Sequence, residues 1–191
     1  VLVAVVGPSG AGKDTLMAGA RARLAEDARF RFVRRGITRP AEAGGEAHDP
    51  LTEAGFAALR EAGGFALSWA AHGLLYGIPR DIEADLADGR VVVANLSRGV
   101  LTEASRYRLR VLEITAPVPL RAQRLAARGR EDVADIAARL SREAALPAGL
   151  DVETVVNDAD VETGVARVLA ALSRAAAGAP RSGTGHPAPP G

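Results

Sequence analysis

The sequence predicts an α/β domain with a mainly parallel sheet flanked by helices, and three observations carry that expectation. An unbroken apolar run, Val1 to Val6, passes through Gly7-Pro8-Ser9-Gly10-Ala11-Gly12-Lys13 into a segment with helical spacing of Leu16, Met17, Ala20 and Leu24. A second wholly apolar run, Val91-Val92-Val93-Ala94, has the character of a central parallel strand covered on both faces. Around these two, strand-like and helix-like segments alternate, as they do where crossovers build a parallel sheet.

Strand, glycine-rich turn and helix are the context in which a G-x-x-x-x-G-K string binds phosphate. The glycines let successive backbone N–H groups converge on phosphate oxygens, and the helix N-terminus adds positive potential. Lys13 is the only lysine; the other basic residues of the 24 are arginine. Its compact charge on a flexible stem suits the terminal phosphates of a nucleotide. The residue after it is Asp14, followed by Thr15, where a hydroxyl residue is expected to serve Mg²⁺ directly after the lysine.

The bulk properties narrow the field. A chain of 191 residues, 48% hydrophobic and 25% charged, predicts one globular domain. A net charge of +1 gives no electrostatic case for nucleic acid or an anionic membrane as partner. Without cysteine there is no disulfide, zinc–thiolate site or cysteine nucleophile, which is compatible with a cytoplasmic setting. No apolar run approaches the roughly 20 residues of a membrane span.

Element by element, Arg29 to Val33 reads as a second strand, followed by a polar, glycine-punctuated connection from Arg34 to His48. Connections of that length tend to be functional, and Arg35 and Arg39 within it suit a clamp for an anionic acceptor. Thr52 is placed to cap a helix through Leu59 and Arg60, stopped by Gly63-Gly64. Phe65 to Trp69 reads as a strand with His72-Gly73 as its turn, and Phe65 and Trp69 as core. Pro79 suits the first turn of a helix through Ile82 and Leu86 that stops at Gly89. Leu109 to Thr115 and Thr154 to Val156 are further strands, and Val161 to Leu172 is the closing helix. Residues 175–191, rich in Gly, Pro and Ala, read as a disordered tail.

Two more patterns bear on chemistry. Arg121, Arg124 and Arg128 share one helix face, as do Arg139 and Arg142 on the next segment, an arrangement suited to a lid carrying guanidinium forks to a transferring phosphate. Motors and GTPases need an aspartate closing a second apolar strand to hold Mg²⁺, and here that strand ends in Asn95. His48 and His72 have no metal-ligand spacing, so no metal is assigned to them.

The phosphate loop, Thr38-Arg39-Pro40, Gly45-Glu46, Phe65, Tyr76-Gly77, Arg128-Gly129, Arg139-Leu140 and Asn157-Asp158 occur in the order seen in guanylate kinases, which the chain resembles over residues 1–172. It departs from them at Asp14, at Leu67 and Ile78 where guanine is read, at Glu42, and through Ala94-Asn95-Leu96-Ser97-Arg98-Gly99. The altered pattern resembles a sister family, the ribose 1,5-bisphosphate phosphokinases of phosphonate utilisation. The likeness lies in Gly-Lys-Asp, in Ile37-Thr38-Arg39-Pro40 with Gly44-Gly45-Glu46-x-His48, and in Ala71-His72-Gly73 through Tyr76-Gly77-Ile78-Pro79.

That resemblance implies a P-loop kinase domain over residues 1–174, with an acceptor-binding region about 34–80 and a lid about 121–145. It implies transfer of the ATP γ-phosphoryl group to ribose 1,5-bisphosphate, a sugar phosphate, giving 5-phosphoribosyl 1-diphosphate, a precursor of nucleotides and NAD. Lys13 and the Gly7, Pro8, Ser9, Gly10, Ala11 and Gly12 loop are then expected at the ATP phosphates, with Asp14 and Thr15 at Mg²⁺. Arg35, Arg39, Tyr76 and Arg98 are expected at the acceptor's phosphates, and Asn157 at adenine. Arg128 and Arg139, with Arg124 and Arg142, are expected to close on the transferring group. The alternatives are a nucleoside monophosphate kinase, a catalytically inactive binding module of the same fold, and a nucleotide switch.

Overall fold

The computed structural model describes residues 1–41, 46–127 and 145–178. Its centre is a five-stranded, all-parallel sheet in the order β2 (Phe30–Phe32), β7 (Val91–Asn95), β1 (Leu2–Val6), β8 (Leu109–Thr115), β9 (Val152–Val156). Strand β1 lies in the middle, and all five of its residues are buried. Because side chains alternate across a strand, the sheet divides its apolar residues between two core layers. Val3, Val5, Val91 and Val93 pack under helices α1 (Lys13–Arg23) and α6 (Val161–Ala177) with Leu16, Ala20, Val165, Val168 and Leu172. Leu2, Ala4, Val6, Val92 and Ala94 pack on the opposite face with Ile82 of α3 (Ile82–Ala87) and Leu101 and Ala104 of α4 (Leu101–Ala104).

A second, four-stranded sheet has the order β4 (Asp49–Pro50), β3 (Gly36–Ile37), β6 (Leu74–Pro79), β5 (Phe65–Ala71). Strands β5 and β6 form an antiparallel hairpin closed by His72 and Gly73, both with positive φ (52° and 72°). Two such residues make the hairpin turn whose twist matches the strands. Leu67 and Ile78 pair across this hairpin and lie buried in the second core layer, which seats the small sheet against the large one. Helix α2 (Glu53–Glu61) starts at Thr52, whose Oγ1 accepts from Gly55 N at 3.0 Å. Helix α5 (Val118–Ala126) follows β8.

Three expectations are corrected. Pro79 ends β6 opposite Phe65 instead of opening a helix, because the hairpin continues through Leu74–Ile78. The Arg34–His48 connection is not plain loop: Gly36–Ile37 pairs in parallel with Asp49–Pro50. The closing helix continues to Ala177, three residues into the segment read as tail, because Ala171, Leu172 and Ala175 are all buried against the core. Residues 179–191 lie outside the described residues, as do Arg128, Arg139 and Arg142 of the expected lid.

Candidate active site

Strand β1 delivers the Gly7–Lys13 loop to the carboxyl edge of the parallel sheet, where ligands of open α/β sheets bind. Lys13 Nζ donates to Gly7 O at 2.7 Å and Pro8 O at 3.3 Å, so the ammonium lies across the mouth of the loop. The loop is held from behind by later parts of the chain. Arg121, 3% exposed, donates through Nε to Ser9 O at 3.1 Å. Arg124 Nη1 lies 3.4 Å from both Gly10 O and Ala11 O, and its Nη2 donates to Asn157 O at 3.3 Å. The buried Asn157 amide donates to Ala11 O at 2.8 Å.

In a trans peptide the carbonyl and the following N–H point opposite ways. Binding the Ser9 and Ala11 carbonyls from behind therefore turns the Gly10 and Gly12 N–H groups to the other side. Gly12 has φ of +87°, and a Cβ there would meet Asn157 Nδ2 at 2.4 Å, so both backbone and packing require glycine.

A cleft of about 580 Å³ runs from this loop to the small sheet. Its walls include Gly7, Pro8, Ser9, Lys13 and Asp14 on the loop side, and Asn95, Leu96, Ser97 and Arg98 beyond β7. The small sheet and the segments leading into it contribute Arg35, Arg39, Glu46, Trp69, Ala71, His72 and Tyr76. All four residues expected at the acceptor, Arg35, Arg39, Tyr76 and Arg98, thus meet in one cleft with Lys13. Trp69, read as core from the sequence, does pack against the second core layer, and its other side lines the cleft. It stacks on Tyr76 with ring centroids 5.4 Å apart, because both sit one register step above the buried Leu67–Ile78 pair.

The Arg35 guanidinium lies 4.8 Å from the Tyr76 ring centroid and 5.8 Å from that of Trp69. Its Nε and Nη2 donate to Glu46 Oε1. Arg39 Nη2 lies 3.2 Å from His48 Nδ1, and Arg39 Nε is buried with no hydrogen-bond partner among the described residues. Arg98 donates to Glu113 Oε1 at 3.0 Å. Four cations against Asp14 and Glu46 leave the cleft suited to a multiply charged anion.

Asp14 is exposed at the start of α1 and lines this cleft; Thr15 is exposed on the next turn position and does not. Arg124 and Asn157 stand behind the loop instead of lining the cleft, because the loop carbonyls take their donors. Among the described residues no group of three or more His, Cys, Asp or Glu is gathered to hold a metal, and no helix is long and apolar enough to cross a membrane.

No family model matches the chain. It is 53% identical over 162 residues to the ribose 1,5-bisphosphate phosphokinase PhnN of Brucella melitensis, covering 83% of this chain and 84% of that protein. To the protein of the same name from Methylobacterium radiotolerans it is 50% identical over 173 residues, covering 90% of this chain and 96% of the other. The chain belongs to the ribose 1,5-bisphosphate phosphokinase family. As a member of that family it is a kinase.

The fold agrees with this placement. The crystal structure of guanylate kinase from Anaplasma phagocytophilum matches with a TM-score of 0.64 at 19% identity, covering 92% of this chain and 86% of that one. Glu46 and Trp69 line the cleft although the sequence points to no site role for either, and Arg121, expected on a lid face, holds the loop from behind. Glu46 stood in the Gly45-Glu46-x-His48 string and was assigned no role. Arg121 shares a helix face by spacing with Arg124, and its burial against the loop is visible only in the fold.

Proposed function

We propose that the protein transfers the γ-phosphoryl group of ATP to the 1-phosphate oxygen of ribose 1,5-bisphosphate, giving 5-phosphoribosyl 1-diphosphate and ADP. The observation that carries this reading is the cleft that joins the phosphate loop to a wall carrying Arg35, Arg39 and Arg98. The two positions that read guanine in the resembling kinases are Leu67 and Ile78, and both are buried in the core beneath Trp69 and Tyr76. Such a wall suits a sugar bisphosphate, which offers two anionic groups and no base.

The attacking phosphate oxygen is already ionised near neutral pH, so catalysis is positioning and charge neutralisation, and no strong base is required. Lys13 and the loop N–H groups hold the ATP phosphates. Arg35, Arg39 and Arg98 hold the acceptor, and the buried Arg39 Nε–H supplies a donor with no other protein partner among the described residues. Arg128, Arg139 and Arg142 close on the transferring group. Arg121, Arg124 and Asn157 act by shaping the loop.

Mg²⁺ fits the donor set. It keeps several waters and is held by one or two carboxylates together with substrate phosphates. Asp14, a hard oxygen donor beside Lys13 in the cleft, meets that need, with Thr15 next to it. When bound, the ion neutralises charge on the β- and γ-phosphates.

The deciding experiment supplies ATP with ribose 1,5-bisphosphate, GMP, AMP or no acceptor. Turnover with ribose 1,5-bisphosphate exceeding GMP in kcat/KM by at least about 10² is expected, because each unpaired guanine group costs about 1–3 kcal/mol. Comparable use of GMP sinks the substrate assignment and favours a nucleotide kinase. Steady hydrolysis without any acceptor favours a switch.

A further inference from the structure

Glu46 ties the two sheets together at the cleft. Its Oε1 accepts from Arg35 Nε at 2.6 Å and from Nη2, and its Oε2 accepts from Asn95 Nδ2 at 2.7 Å. Asn95 is the last residue of β7 in the core sheet, while Arg35 immediately precedes β3 in the small one. The side chains of Arg35 and Glu46 are 12% and 17% exposed, so the pair is little screened and its hydrogen bonds are charge-assisted.

The contacts fix Arg35 in one orientation. Glu46 takes the Nε–Nη2 edge of the guanidinium, and the Tyr76 ring lies against it. A guanidinium is a rigid planar fork with five N–H donors. With one edge taken, the Nη1–Nη2 edge remains to meet an oxyanion. The buried His48 lies beside Glu46: its Nδ1 is 3.1 Å from Glu46 O and its Nε2 3.0 Å from Arg39 O, and the one N–H of a neutral ring donates to one of these two carbonyls. The buried imidazole thus closes the base of the connection that carries Arg39 at one end and Glu46 at the other.

We propose that Glu46 is a positioning residue for the acceptor. It presets Arg35 so that the free edge meets an acceptor phosphate, and through Asn95 it fixes that edge relative to the phosphate loop. Glu46 does not bind the acceptor itself, since a carboxylate repels a phosphate at contact distance. The inference rests on the acceptor reading above and adds the residue that makes the arginine wall selective for one geometry.

The sign of the effect separates positioning from simple neutralisation. If Glu46 only cancelled the Arg35 charge, removing it would strengthen acceptor binding. If it positions Arg35, removing it weakens acceptor binding although the cleft becomes more positive. The test compares Glu46→Ala, Glu46→Gln, Arg35→Ala and the double variants E46A/R35A and E46Q/R35A in steady-state assays varying ATP and acceptor separately. E46A is expected to raise the acceptor KM about 10-fold to 100-fold, the worth of a charge-assisted pairing, and to change the ATP KM by less than about twofold.

E46Q keeps Oε1 as acceptor for Arg35, so a rise of only about threefold to tenfold is expected. In the Arg35→Ala background either change at Glu46 adds nothing further, since Glu46 acts through Arg35. Should E46A not fold, the isosteric E46Q and E46Q/R35A give the same reading. A lowered acceptor KM, additivity with Arg35→Ala, or equal changes in the ATP and acceptor constants overturns the proposal. Wild-type protein that uses GMP instead overturns the acceptor reading alone; the same variants run with GMP then still decide the role of Glu46.

Discussion

Substituting Gly12 by alanine introduces two separable costs, and the structure says which residue relieves one of them. The backbone there has φ of +87°, a left-handed conformation that costs an L-residue roughly 1–2 kcal/mol. The new Cβ would lie 2.4 Å from Asn157 Nδ2, so the amide must move and give up its 2.8 Å bond to Ala11 O. That bond is buried, and losing it costs about 1–3 kcal/mol. The sum is roughly 2–5 kcal/mol, or about 30-fold to several-thousand-fold in an equilibrium constant.

If the loop holds its shape, that cost appears as lower stability; if it relaxes, it appears as weaker ATP binding. Denaturant unfolding and ATP titration on the same protein together measure both shares. In the double variant G12A/N157A the clash is gone and only the backbone strain and the lost bond remain. The two changes should therefore be sub-additive by about 1–3 kcal/mol, because each alone already forfeits the same hydrogen bond. Simple additivity would refute the idea that Asn157 acts on the loop from behind and would return it to direct contact with the nucleotide.

The remaining predictions use the other walls of the site and one distant pair. Lys13→Ala should cost on the order of 10²–10³ in kcat by removing a preorganised charge on the phosphoryl group, and Lys13→Arg should also be poor because a planar fork does not fit there; normal turnover of Lys13→Ala removes the phosphate-loop assignment. Asp14→Ala should raise the Mg²⁺ concentration needed for activity and reduce the gain in ATP affinity on adding Mg²⁺ in a binding titration; unchanged curves would shift the metal role to Thr15. Burial alone pushes the Asp85 carboxyl up, but hydrogen bonds from Arg31 and Arg90 outweigh it and hold the group below its ordinary 3.8. A depressed folded-state value means stability that is full above the unfolded value and lost as pH falls through the folded one. Asp85→Asn should therefore cost about 1–2 kcal/mol near pH 7, discounted for the partly exposed arginines, with a gap to wild type that narrows below about pH 4 in unfolding curves. A gap independent of pH would show that Asp85 contributes only shape.

Where local chemistry sets the backbone, the sequence was enough. The apolar runs at Val1–Val6 and Val91–Ala94 are central strands because a parallel strand covered on both faces leaves no polar position to alternate. Thr52 caps α2 and His72-Gly73 turns the hairpin, since those residues impose their conformations on their neighbours. Pro79 is ambiguous in sequence because its fixed φ and missing N–H suit a first helical turn and are also compatible with the last residue of strand β6. Gly36–Ile37 and Asp49–Pro50 were hidden because two-residue strands have no periodicity to detect.

The site divides along the same line. Lys13, the loop glycines, Arg35 and Arg39 carry their chemistry in residue type and spacing, and Lys13, Gly7, Arg35 and Arg39 do meet in one cleft. The residues that aim them do so through contacts far apart in sequence: Glu46 with Asn95, Arg121 with Ser9, Asn157 with Ala11. No local pattern encodes such pairs, because each exists only after the sheet has brought the ends of β1, β7 and β9 to one edge. The two classes also differ in what a substitution should show. Groups that face the phosphates change turnover directly, whereas groups that aim them should reveal themselves in double variants, as departures from additivity with the residue they hold.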